Sequence, residues 1–130
     1  MANNLFLLGL AFERENFTDM STRMVSAVRE QMGKYPSSFA NWASVMIKLT
    51  RPFYTIAITG PRYLEKVAAI RKHYHPSLFI CGSETRSELP ILKDRFLEGQ
   101  TIIFVCTGKE CKLPTTSVDK AVELFLADYR

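Results

Sequence analysis

The chain lacks any apolar run long enough to cross a membrane: its 130 residues never approach the roughly 20 consecutive apolar positions that a bilayer requires. It has little cysteine, and three thiols, an odd number, do not suit a disulfide framework. Marks of secretion are missing as well, because Met1-Ala2-Asn3-Asn4 leads into apolar residues without a basic leader or an Ala-x-Ala site. Cytoplasmic residence with reduced thiols is the expectation. No strong charge block is present either. The net charge is +4, with only local basic groups at Arg71-Lys72-His73 and from Lys109 to Lys112. Without a concentrated basic stripe interleaved with aromatic residues, a nucleic-acid partner is not expected. Also absent are the Gly-x-Ser-x-Gly elbow, the His-Glu-x-x-His helix, the dinucleotide fingerprint and the P-loop. No catalytic residue, metal or cofactor can be assigned, and no activity is expected of the isolated chain.

What is present divides at Thr50-Arg51-Pro52. Before it, Asn4 to Arg14 reads as a helix apolar on nearly every side, which must be covered on more than one side. Thr18 or Asp19 can cap a second helix with Met20, Met24, Val28 and Met32 on one stripe, ended by Gly33 and the Tyr35-Pro36 step. A third helix starts near Pro36 and carries Phe39, Trp42, Ala43, Met46 and Leu49. The methionines read as core filler, although such a stripe can also line an adaptable groove.

After the division the order is strand, helix, strand, short helix, strand, loop, helix. Phe53 to Thr59, Leu78 to Cys81 and Thr101 to Cys106 are Ile-, Val- and Phe-rich runs with little alternation, as in strands buried on both faces of a parallel sheet. Gly60-Pro61 starts a helix to about Tyr74 that packs through Leu64, Val67, Ala68 and Arg71, giving one βαβ unit with a right-handed crossover. Glu88 to Phe96 reads as a helix broken near Pro90. Thr116-x-x-Asp119 starts a final helix with Val118, Ala121, Val122, Phe125 and Tyr129 on its packing face. The expected fold is thus α/β: N-terminal helices, residues 1–52, packed on a small three-stranded, mainly parallel sheet with flanking helices, residues 53–130, as one compact structure.

Cys106 and Cys111, with Lys109 and Lys112 nearby, leave three readings open. They are a strand-end and a loop cysteine that a tight turn can bridge, a redox pair made reactive by adjacent cations, or half of a metal site completed from Cys81, His73 and His75. Gly60 and Arg62 mark a helix N-terminus at a strand end, where anions bind, or ordinary strand-to-helix punctuation. His73 and His75 read as helix-end residues. The carboxylate pairs, such as Glu84 with Glu88, look solvated.

Two stretches carry a resemblance. Tyr35-Pro36-Ser37-Ser38-Phe39-Ala40-Asn41-Trp42 resembles a Tyr-Pro-Ser-Ala-Phe step. Val105-Cys106-Thr107-Gly108-Lys109-Glu110-Cys111-Lys112-Leu113-Pro114 resembles a Val-Cys-x-x-x-x-Cys-x-x-Pro ending. Both are similar to steps in the thioredoxin-domain-containing proteins related to spermatogenesis-associated protein 20. The likeness implies that residues 1–52 are the last helices of an α/α barrel similar to six-hairpin glycosidases and N-acylglucosamine 2-epimerases, followed by the C-terminal α/β unit. It places Tyr35, Ser38, Asn41 and Trp42 at a pocket-lining helix start, with a carbohydrate as the ligand implied. The thioredoxin Cys-x-x-Cys and most of the barrel are absent. The function implied is that of a C-terminal fragment or truncated homologue, non-catalytic alone and acting in structure or association. Its partners would be itself or missing parts of a parent protein, met through apolar helices; the alternative is part of a sugar-active or thiol-redox enzyme.

Overall fold

Helices α1 (Ala2–Ala11) and α2 (Glu15–Ala27) cross closely at Gly9, where a Cβ would stand 2.6 Å from Thr18 Cγ2. In the computed structural model, which describes residues 1–127, they belong to the first of two compact units, Met1–Pro52 and Phe53–Arg130. Buried Ser21 ties the two helices together by donating its hydroxyl to the Ala2 carbonyl at 2.9 Å. Coverage of α1 follows a stripe of Ala2, Phe6 and Gly9, with Ala11 buried on the opposite side at the helix end, while Leu8 and Phe12 are exposed.

The second helix begins three residues before the expected cap. Thr18 therefore lies inside it, its hydroxyl donating back to the Glu15 carbonyl at 2.7 Å. That start fixes the buried line as Ser21, Val25 and Met32, leaving Met20 exposed, and the helix is interrupted at Val28 before α3 (Arg29–Lys34). Turns occupy Pro36 to Phe39, so α4 runs only over Ala40–Thr50. Its Val45 is buried, with Trp42, Ala43, Met46 and Leu49 packed around it.

In the second unit, β1 (Tyr54–Thr59) is buried along its whole length. Helix α5 (Tyr63–Arg71) connects it to β2 (Leu78–Ser83), which pairs with β1 in parallel register from Tyr54↔Leu78 to Thr59↔Ser83. The third strand corrects the expectation of a mainly parallel sheet. Strand β3 (Ile102–Thr107) runs antiparallel to β1, from Tyr54↔Thr107 to Thr59↔Ile102. A short β4 (Glu110–Cys111) then gives a four-stranded mixed sheet of order β2-β1-β3-β4. The cause is the connection. Residues 84–101 contain one 3-10 turn, Pro90–Leu92, in place of the expected broken helix, and no crossover helix carries the chain back to the start of β1.

One sheet face presents Tyr54, Ile56, Ile58, Ile103 and Val105 to Ile70 of α5 and to Ala121, Val122 and Phe125 of α6 (Val118–Leu126). The other packs Ala57, Phe79, Cys81 and Phe104 against Ile91 and Leu92. Leu64, expected on the packing face of α5, is 64% exposed, and Ala68 and Arg71 are exposed with it, because the face that meets the sheet runs through Tyr63, Val67 and Ile70. Ser117 caps α6, one residue later than the expected Thr116, accepting the Lys120 N–H at 3.4 Å. Tyr129 lies outside the described residues.

Candidate functional site

The β3–β4 hairpin turns through Gly108 and Lys109, with Gly108 at φ 59°, the positive φ that a type II′ turn requires at its first central position. Thr107 pairs with Glu110, and Lys112 donates its N–H to the Val105 carbonyl at 2.9 Å. Cys106 and Cys111 thus face each other at the intervening pair, where no backbone hydrogen bonds are exchanged and opposed side chains come nearest. Their Cα atoms are 3.9 Å apart and their sulfurs form a disulfide. The expectation of reduced thiols fails here for a geometric reason: a two-residue loop puts cysteines five apart directly opposite one another. Beyond the bridge, Thr115 exchanges both backbone bonds with Ile103, at 2.8 and 3.0 Å, one position out of register, so Leu113-Pro114 forms a bulge that ends the hairpin.

Arg95 lies over the bridge. Its Nη1 donates to Cys106 Sγ at 3.5 Å and its Nη2 to Cys111 Sγ at 3.6 Å. The guanidinium carbon is 5.3 Å from the centroid of the Phe104 ring, two positions before Cys106 on the same sheet face. The backbone is held as firmly as the side chain. Thr59 donates its hydroxyl to the Arg95 carbonyl at 2.6 Å, Arg95 N–H reaches the Leu92 carbonyl at 3.3 Å, and Asp94 makes the corner with φ 59°. One planar cation therefore bonds both sulfurs of a disulfide whose Cys106 is buried and whose Cys111 is exposed. Sequence reasoning missed Arg95, which sits in a polar connection with no periodic pattern around it.

Cys81, a free cysteine on β2 opposite Ala57, is separated from Cys106, opposite Thr55, by the width of β1. Burial pushes its thiol pKa up, so it stays protonated and unreactive. Among the described residues no cluster of three or more His, Cys, Asp or Glu side chains can hold a metal ion, and the disulfide consumes the two thiolates such a site would need.

His75 is not a helix-end residue, since α5 stops at Arg71. It is buried between the rings of Tyr54 at 5.6 Å and Phe125 at 5.4 Å, both edge-on, and its Nδ1 accepts the Ser77 N–H at 3.2 Å. That bond assigns the neutral-state proton to Nε2. Burial holds the His75 pKa below its ordinary value, against the opposing backbone of Phe125. Arg71 and His73 line the same recess of about 350 Å³. The folded state therefore binds its proton less readily than the unfolded chain. Its contribution to stability is whole above the ordinary histidine range and is lost as pH falls through that range. Thermal melts between pH 7.5 and 5, approximate limits chosen to bracket that range, should show a steeper acid loss of Tm in wild type than in His75→Gln. Equal slopes would remove His75 from the acid response.

At the end of β1, Gly60 adopts φ 117° and packs against Gln100 and Thr101. Arg62, itself left-handed at φ 60°, does not offer a free cation. Its Nε and Nη2 each bond a Glu65 carboxylate oxygen at 2.7 Å. Lys66 Nζ is taken by the Thr116 carbonyl at 2.6 Å. Arg62 is thus neutralised from within the turn, and the Lys66 ammonium is engaged by a neutral carbonyl.

Of the pocket candidates, Asn41 and Trp42 line a cleft of about 210 Å³ with Ala2, Asn3 and Val45. Tyr35 and Ser38 lie outside its lining, and Tyr35 is 61% exposed. Methionine plays both parts foreseen for it: Met32 is buried, and with Met46 it also lines an apolar groove of about 730 Å³ along α2, α3 and α4. No helix is long and apolar enough to cross a membrane among the described residues. Comparison with family models, with curated proteins and with solved structures gives no match.

Proposed function

We propose that the chain is a structural component carrying a redox-responsive disulfide, in which Cys106 and Cys111 cycle between bridge and dithiol, and that it is not a self-sufficient enzyme. The observation that supports this reading is the Arg95 guanidinium bonded to both sulfurs. An adjacent cation stabilises a thiolate, lowering the pKa of the reduced cysteine and making it both a better leaving group and a more abundant nucleophile near neutral pH. The thiol-redox reading ranks above the sugar-active one. Its reacting atoms already touch a cation, whereas the four candidate sugar contacts do not share one cleft.

The reading predicts the reactivity of the reduced protein. In a Cys81→Ala background, alkylation followed against pH should give the exposed Cys111 an apparent pKa below the ordinary value of about 8.5. Arg95→Met should raise it and slow alkylation at pH 7 by about three- to tenfold. Ordinary thiol behaviour at both cysteines, unchanged by that substitution, would sink the proposal.

A further inference from the structure

Resting on that redox reading, we infer that exchange begins at Cys111 and that its reactants are small thiols bearing carboxylates. The two sulfurs are not equivalent. Cys106 is 3% exposed, on a strand paired on both sides by β1 and β4, whereas Cys111 is an exposed residue on the outermost, two-residue strand. A thiolate must approach the sulfur it attacks along the S–S axis, from the side away from the leaving sulfur. Cys111, exposed on the outermost strand, offers that approach to solvent, whereas Cys106 is buried on an inner strand.

The chemistry closes with the incoming thiol as reductant. Its thiolate bonds to Cys111 Sγ, the Sγ–Sγ bond breaks, and the electron pair leaves on Cys106, where Arg95 Nη1 stands 3.5 Å away to stabilise the new anion. A second small thiolate then attacks the mixed disulfide at the sulfur of the first, releasing a small-molecule disulfide and leaving Cys111 as a thiolate beside Arg95 Nη2. Two electrons pass from two small thiols to the protein, and the two new thiolates take protons from water as the pH dictates. Oxidation reverses each step with a small disulfide as oxidant.

The choice of reactant follows from the surrounding charge. The Arg95 guanidinium stands 3.5 and 3.6 Å from the two sulfurs, so an incoming carboxylate is attracted and an incoming ammonium repelled. The hairpin tip is exposed, so this steering weakens with salt.

The test uses the full chain, oxidised, with mercaptosuccinate, 2-mercaptoethanol and cysteamine as anionic, neutral and cationic probes and rates expressed per thiolate. Mercaptosuccinate should reduce the bridge at least about threefold faster than cysteamine at low salt, the gap closing when salt shortens the screening length to about 3 Å. Acid quenching and peptide mapping should place the first mixed disulfide on Cys111, and Cys106→Ser, treated instead with the corresponding small disulfide as oxidant, should accumulate it there. A mixed disulfide on Cys106, or equal rates for the three probes, would overturn the inference while leaving the redox reading intact. A bridge that no thiol reduces in the folded wild type would overturn the redox reading itself. Because the wild-type rates and mapping need no substitution, the test survives a Cys106→Ser chain that fails to fold.

Discussion

Replacing Phe125 with alanine should destabilise the sheet unit by about 3–5 kcal/mol, measured as the shift in urea unfolding at constant slope. The ring is 0% exposed, lies 6.4 Å from Tyr54 and 5.4 Å from His75 between centroids, and belongs to the cluster of Ile56, Ile58, Ile103 and Val105. Its loss removes apolar burial and opens a cavity that a sheet and two helices cannot close without moving. Since whole domains hold only about 5–15 kcal/mol, the variant should stand near its unfolding threshold. Phe125→Leu, keeping most of the volume, should recover more than half of the loss. A cost under about 1 kcal/mol for the alanine variant would mean that α6 does not cover the sheet as described.

The second large effect is expected at Gly60. An alanine Cβ there would fall on the Gln100 carbonyl and within 2.9 Å of Thr101 Cα, at a φ of 117° that side chains rarely adopt. Backbone strain and overpacking each cost about 1–3 kcal/mol, and here both act against main chain and not against a side chain that can swing aside. Gly33→Ala is the matched control. Its Cβ would meet nothing within 4 Å and its φ is not positive, so inside helix α3 it should be neutral or stabilising, by up to about 1 kcal/mol. Comparable unfolding midpoints for the two variants would refute the tight contact at Gly60.

The sheet unit was legible where its signals were local. Continuous apolar runs on either side of Gly60-Pro61 marked β1 and β2 as neighbours joined by a helix, and they are parallel, although β2, at the sheet edge, is half-buried and not buried on both faces as expected. Strand β3 was found but not its direction, because Ile-Ile-Phe-Val-Cys reads equally well either way along a sheet buried on both faces. Direction was decided by residues 84–101, whose failure to form a helix depends on packing of Ile91 and Leu92 beneath the sheet, a tertiary matter. In the helical unit Met20 and Met24 lie one position before the buried Ser21 and Val25, since Ser21 enters the interior by bonding the Ala2 carbonyl, a partner 19 residues distant, while Met32 of the same pattern is buried. The disulfide was closer to legible: a glycine at the first position of a two-residue turn places cysteines five apart at one cross-strand pair. Arg95 was not, because what makes it part of the site is a bond from Thr59, 36 positions earlier in sequence.

The contact of Gly60 with Gln100 and Thr101 also decides where on the sheet chemistry can occur. Open α/β sheets ordinarily keep their ligand crevice beyond the carboxyl ends of the parallel strands. In this unit the returning chain takes that place: the Thr101 hydroxyl donates to the Pro61 carbonyl and Thr59 holds the Arg95 backbone. Antiparallel β3 then carries its own carboxyl end to the opposite margin, beside Tyr54 and Thr55, and delivers Cys106 there. The reversal of one strand thus trades a nucleotide-style crevice for a disulfide-bridged hairpin at the far side of the sheet, and Arg95, anchored at the first margin, extends its cation towards the second.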